Sequence, residues 1–138
     1  MNISTKGRYG LRAILDIARY GQERPVTLSS ISRRQQISEG YLEQLISPMK
    51  KAGLVRSSRG AQGGYTLARY PSEIVAGDIF RALEGPLALT ACIRETDEES
   101  CHMQESCGSR FIWEEIQKAI SLVLASYTLA DLLEREKE

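Results

Sequence analysis

Residues 38–55, SEGYLEQLISPMKKAGLV, form the stretch on which the reading of the chain turns. Ser38 is placed to cap a helix and Gly53 to stop one. Between them Leu42, Leu45, Ile46 and Met49 recur at i, i+3, i+4 and i+7, the spacing of an amphipathic helix with that face turned inward. At about 100° per residue, Gly40, Gln44, Ser47 and Lys51 then point the opposite way, with Tyr41 and Glu43 at the edges of the strip. A short polar strip, rich in donors and acceptors and led by a residue without a side chain, suits the reading of base edges in a major groove. An ordinary solvated helix face has the same pattern, so the flanking sequence decides.

Upstream, Thr27 is a candidate cap for a short helix through about Gln36, with Leu28 and Ile31 inward. Two short helices joined by a tight turn make a helix-turn-helix unit. Pro48 cannot donate to the Gln44 carbonyl and disfavours helical geometry at Ser47, so the second helix is expected to kink. It is not expected to break, because the apolar spacing continues through Met49. Residues 4–20 read as a first helix with Leu11, Ile14, Leu15 and Ala18 as its core stripe. Arg8, Arg12 and Arg19 share another face that suits a phosphate backbone, and Lys6 with the Gly7 N–H adds an anion site at the helix start.

Downstream, residues 54–68 read as strand, glycine-rich turn and strand. Gly60, Gly63 and Gly64 permit positive φ and close approach, and Arg56 and Arg59 lie beside the turn. A basic hairpin after a recognition helix is the wing of a winged helix, placed to meet phosphate or a minor groove; a plain surface hairpin is the alternative. Residues 76–84 form a further helix with Ile79, Phe80 and Leu83 inward, ended by Gly85 and Pro86. Residues 110–127 form the longest helix, with Ser109 as a possible cap. Its stripe of Ile112, Ile116, Ala119, Ile120, Val123 and Tyr127 exceeds what one small core needs, which predicts a homodimer helix. Thr128 caps a last short helix, LADLLE.

The fold class expected is therefore mainly α with a small β-hairpin. A winged helix-turn-helix domain spans 1–86, a cysteine loop 87–108, and a dimerisation helix with a short C-terminal helix 109–138. The candidate DNA contacts are Lys6, Arg8 and Arg12, then Ser38, Gly40, Tyr41, Glu43, Gln44 and Lys51, then Arg56, Arg59 and Gly60 of the wing. A two-fold dimer using them would bind double-stranded DNA as an inverted repeat.

The chain has 138 residues, the size of one domain, and its 42% hydrophobic and 26% charged content is that of a globular protein. No run of 18 apolar residues and no secretory leader is present, so a cytoplasmic protein without a membrane span is expected. The net charge of zero conceals a segregation: residues 1–70 hold twelve Lys or Arg against four Asp or Glu, and residues 71–138 hold six against fourteen. A basic N-terminal half points to a polyanionic partner, and an acidic C-terminal half to a part kept away from it. The sole histidine lies in the cysteine loop, and no acid-base or nucleophilic constellation appears, so an enzyme is not expected.

All three cysteines, Cys92, Cys101 and Cys107, fall in the loop with spacing C-x8-C-x5-C. An odd number in a reducing compartment is no disulfide framework. Clustered thiolates suit zinc, with His102 available as a further ligand, or an iron–sulfur cluster, or a thiol-redox sensor.

With these motifs assembled, the chain resembles the family of the iron–sulfur-cluster regulator IscR and its winged-helix relatives. STKGRYGL, ISEGYLEQLISPMKKAGLV, RGAQGGYTLA, the cysteine loop and TLADLL carry the resemblance over nearly the whole length. It implies a homodimeric transcription regulator that holds a 2Fe-2S cluster on Cys92, Cys101 and Cys107 and controls cluster-assembly genes. It also implies DNA contacts at Tyr41, Gln44 and Arg59, and a role for Glu43 in discriminating between two classes of site. Two positions depart from the pattern. Family members place a histidine ligand where this chain has Arg110, which leaves His102, Asp97 or Glu43 as candidates for the fourth ligand. Relatives often have glycine where this chain has Gln36, so that turn must bear a positive-φ cost or differ in shape. Relatives on the scaffold also include nitric-oxide and iron sensors, and cysteine-metabolism regulators that lack the cysteines. The reading from another class is a zinc-binding or thiol-redox-responsive protein-interaction domain with no DNA role.

Overall fold

The computed structural model describes residues 3–60, 63–93, 103 and 105–136. Helix α1 spans Thr5–Tyr20, α2 Leu28–Gln35, α3 Glu39–Lys51, α4 Ala76–Glu84, α5 Arg110–Ser126 and α6 Leu129–Arg135; strands β1 (Val55–Ser58) and β2 (Gly64–Leu67) lie between α3 and α4. Helix starts follow local capping chemistry. The hydroxyls of Ser4, Thr27 and Ser38 accept from the N–H groups of Gly7, Ser30 and Tyr41. Thr128 and Asp131 exchange side-chain bonds with each other's N–H at the start of α6. Ser109 departs from the expectation: its hydroxyl makes no cap, and lies 3.0 Å from the Cys107 thiol instead.

The core is built from α1, α2, α3 and the start of the hairpin, joined by Ile74, by Ile79 and Leu83 of α4 and by Leu129 of α6. Ala13, Ile14 and Ile17 meet Ile31, the α3 face of Leu42, Leu45, Ile46 and Met49, and Leu54 and Val55, all 0–2% exposed. α3 runs unbroken through Pro48, as the apolar spacing requires. It ends with Gly53 at φ 77, where the Leu54 N–H closes back onto the Met49 carbonyl at 3.0 Å. β1 pairs antiparallel with β2 from Val55↔Leu67 to Ser58↔Gly64. Val26 bridges Tyr65 on the other edge, so the hairpin is anchored to the chain entering α2. α4 lies close on α1 because Gly7 and Gly10 leave room: a Cβ on Gly10 would sit 2.1 Å from Leu83 Cδ1, and one on Gly7 2.7 Å from Phe80 Cε1. This corrects the anion site expected at Gly7, whose N–H is taken by Ser4 and whose Cα is covered by Phe80.

α5 stands apart. None of its side chains is fully buried, and Phe111, Leu122 and Val123 are 67, 70 and 56% exposed. Its end is tied back to the body. The Tyr127 carbonyl accepts from the Ala76 N–H, the Leu129 N–H reaches the Ile74 carbonyl, and Leu129 is buried in the core. Among the described residues no helix is long and apolar enough to cross a membrane.

The turn between α2 and α3 places Gln36 at φ 57 and ψ 44, the left-handed region. A side chain costs about 1 kcal/mol there, part of which glycine would return through its larger unfolded-state freedom. Gln36→Gly is therefore expected to raise stability by about 0.5 kcal/mol, read as a small upward shift in the urea midpoint at unchanged slope. A lowered midpoint would show that the exposed Gln36 side chain, whose amide donates to the Arg33 carbonyl at 3.0 Å, outweighs the strain.

Candidate nucleic-acid interface and cysteine segment

The outward strip of α3 is presented as its periodicity requires. Gly40, Glu43, Gln44, Ser47 and Lys51 are exposed, and a Cβ added at Gly40 would meet nothing within 4 Å. Backbone at that end is thus free to approach a partner surface. Tyr41 is half-buried, its ring set edge-on to Tyr9 with centroids 6.1 Å apart and planes at 86°. Ser38 is exposed; its hydroxyl oxygen caps α3, which leaves the O–H free to donate.

Tyr9, not singled out from the sequence, joins α1 to this end of α3. The guanidinium carbons of Arg8 and Arg12 lie 5.7 and 5.2 Å from its ring centroid. Lys6 and Arg8 are exposed beside it. Arg12 is engaged within the protein as well: Nε donates to Gln35 Oε1 at 3.3 Å and Nη2 to the Gln35 carbonyl. The Gln35 amide in turn donates to Asp16 Oδ2 at 2.9 Å.

Asp16 is the hidden centre of this face. It is 2% exposed and receives both Nε and Nη2 of Arg34, at 2.9 and 2.7 Å, a forked charge-assisted pair. The carboxylate holds the Arg34 pKa above its ordinary value, and the guanidinium stacks 4.1 Å over the Tyr20 ring. One buried acid therefore latches α1 to the end of α2, immediately before the left-handed turn that aims α3. Its sequence signal was the lone carboxylate inside the apolar run AILDIA.

On the wing, Arg56 and Arg59 are exposed and Gly60 has φ 117. The Arg56 guanidinium reaches the Ala68 carbonyl at 3.4 Å, and the Gly63 N–H closes the turn onto Gly60. Basic side chains of α1, α3 and the wing are all accessible, as phosphate binding needs.

The cysteine segment is described in part. Cys92 lies in a 3-10 turn, Ala91–Ile93, packed on α5, with its thiol 3.0 Å from Thr90 Oγ1. Cys107 precedes α5; bonds from the Ser109 hydroxyl, then from the Ser109 and Arg110 N–H groups, hold its thiol pKa below the ordinary value. That favours the thiolate, the form that ligates soft metals. Cys101, His102 and Asp97 lie outside the described residues. Among those described no group of three His, Cys, Asp or Glu is placed to hold a metal. Glu43 is exposed on α3. Arg110, at the position where the resemblance implies a histidine ligand, pairs with Glu114 at 2.8 Å.

Comparison with known proteins adds an independent finding. The model of the Rrf2 family, described as iron-dependent transcriptional regulators, matches residues 3–135. The regulator CymR of Bacillus subtilis is 47% identical over 96% of this chain and 89% of its own length. Its structure, described as that of the global cysteine regulator, superposes with a TM-score of 0.79 at 43% identity over 99% of both chains. The structure of T. potens IscR superposes with a TM-score of 0.81 at 46% identity, over 99% of this chain and 89% of that one. The regulator IscR of Serratia proteamaculans is 40% identical over 99% of this chain and 81% of its own length.

Proposed function

Because this chain belongs to the Rrf2 family of DNA-binding transcription regulators, we propose that it works as a homodimer whose grip on an inverted-repeat operator is set by a labile 2Fe-2S cluster. The genes it controls on this reading are those of iron–sulfur cluster biogenesis, and its place is the cytoplasm. The observation that carries the proposal is the gathering of all three cysteines of the chain between residues 92 and 107. The two described thiols fit such a group by donor chemistry: Cys92 and Cys107 are both free, partly accessible soft ligands, and the Cys107 pKa is held below its ordinary value by the Ser109 hydroxyl. Cys92, Cys101 and Cys107 would hold it, with His102, Asp97 or Glu43 completing the set. When bound, the cluster supplies a redox-active and oxygen-labile centre that three thiolates and one weaker ligand retain loosely.

The remaining roles belong to the chain itself. Residues 1–86 form the DNA-binding unit, 87–108 the cluster loop, and 109–138 the dimer helix with the short helix that follows. The exposed apolar face of α5 supports the dimer, since a face of that size is otherwise left in water. The ties from Tyr127 to Ala76 and from Leu129 to Ile74 link the end of that helix to the winged helix. Gln44 would read adenine by its paired donor and acceptor. Glu43 would accept from cytosine and repel bases that offer only acceptors.

The similarity to CymR favours a second reading, in which the scaffold reports on cysteine supply without a cluster. Anaerobic purification separates the two. The visible spectrum and the iron and sulfide content should show one cluster per subunit, and Cys92→Ala, Cys101→Ala and Cys107→Ala should each lose it. Colourless wild-type protein that still binds its operator would favour the second reading, and colourless protein containing zinc a zinc site.

A further inference from the structure

The chain leaves the winged helix at Gly85, where φ is 80, and runs along α5 toward Cys92. Gln117, half-buried on α5, grips that segment with both ends of its amide. Its Oε1 accepts from the Leu89 N–H at 3.0 Å, and its Nε2 donates to the Leu87 carbonyl and to Ser121 Oγ at 3.2 Å. One side chain that satisfies the N–H and the C=O of residues two apart does what a neighbouring strand does, holding main chain whatever its side chains. Cys92 follows Leu89 by three residues, in a turn packed on the same helix. Phe111, Leu122 and Val123 of α5 remain exposed.

We propose that Gln117 is a positioning residue that fixes the Leu87–Cys92 segment on α5 and so holds the Cys92 thiol in place for the cluster. The proposal rests on the cluster reading above. It explains why a glutamine sits on a helix otherwise rich in apolar and charged residues, with both its donor and its acceptor directed at backbone. Loss of both bonds hands a main-chain N–H and C=O at the base of the loop over to water, and opening there becomes easier.

Gln117→Leu keeps volume and helix propensity, and Gln117→Ala keeps propensity alone, so both leave α5 able to form. Two measurements on the full-length protein test the idea: amide exchange at Leu89 in the cluster-free form, and the rate at which a ferrous chelator removes iron from the loaded form. Both variants should exchange at Leu89, and release iron, about ten-fold faster than wild type, while α3 amides and the thermal midpoint stay unchanged. Iron release within about two-fold of wild type in both variants overturns the proposal, whatever Leu89 exchange shows. Wild-type protein isolated anaerobically without iron and sulfide overturns the cluster reading itself, a result obtained before any variant is made.

Discussion

Arg34→Ala is expected to cost about 3 kcal/mol of folding stability, the low end of the range for stripping one partner from a buried charge pair, because only the acid is buried. The Asp16 side chain is 0% exposed, and the Arg34 side chain is 32% exposed. Removing the arginine leaves a carboxylate set beneath the surface with only the Gln35 amide of the protein to bond it. Removing the acid instead, in Asp16→Ala, strands a guanidinium already a third in solvent and stacked on Tyr20, which keeps its hydration. Asp16→Ala should therefore cost less, about 2 kcal/mol. Arg34→Lys should fall between wild type and Arg34→Ala, since an ammonium replaces the charge and not the fork. Urea titrations of the three variants check the order. A smaller loss for Arg34→Ala than for Asp16→Ala would show that the pair is not what anchors α1 to α2.

The parts of this molecule that sequence reveals are those decided within one or two helical turns. Ser38 caps α3 and Thr27 caps α2 because a hydroxyl at that position meets an N–H three residues on, wherever the helix later packs. The 3.6-residue spacing from Leu42 to Met49 fixes which face of α3 is buried, and hence which face reads outward. Gln36, where relatives often have glycine, takes the positive φ that such a turn asks of its residue. What sequence conceals is set by distant partners. Asp16 is one of several charges in α1 until Arg34 and Gln35 fold against it from 18 and 19 residues away. Gly7 offers donors to an anion until Phe80 covers it, and Ser109 offers a cap until Cys107 takes its hydroxyl. The candidate interface was legible by residue type and helix face. The latch that aims it, and the grip of Gln117 on the cysteine segment, were not.

Operator affinity should fall at least about a thousand-fold between about 50 and 200 mM salt, because even six of the twelve phosphate contacts that a two-fold dimer offers release enough counterions to give a log–log slope near −5. The candidates are Arg8, Arg12, Lys50, Lys51, Arg56 and Arg59, each exposed. In a two-fold dimer every substitution acts twice. Arg59→Ala should therefore make the slope shallower by about two and weaken binding to all sequences alike, if its contact is to phosphate. Arg12 differs from the rest because two of its nitrogens bond Gln35. Arg12→Ala should thus weaken binding and also lower stability, a pairing that Arg59→Ala should not show. Glu43 makes no contact that attracts phosphate, so Glu43→Ala should leave the slope unchanged. It should instead relax base preference at one position by about 1–3 kcal/mol, the worth of a single base-edge contact. Gln44→Ala should lose a similar amount at an adjacent position where adenine is preferred. Binding titrations across salt on randomised half-sites measure slope and preference in one experiment. Affinity indifferent to salt would remove the basic face from the mechanism, and unchanged preferences in Glu43→Ala would leave base reading to Gln44 and its neighbours.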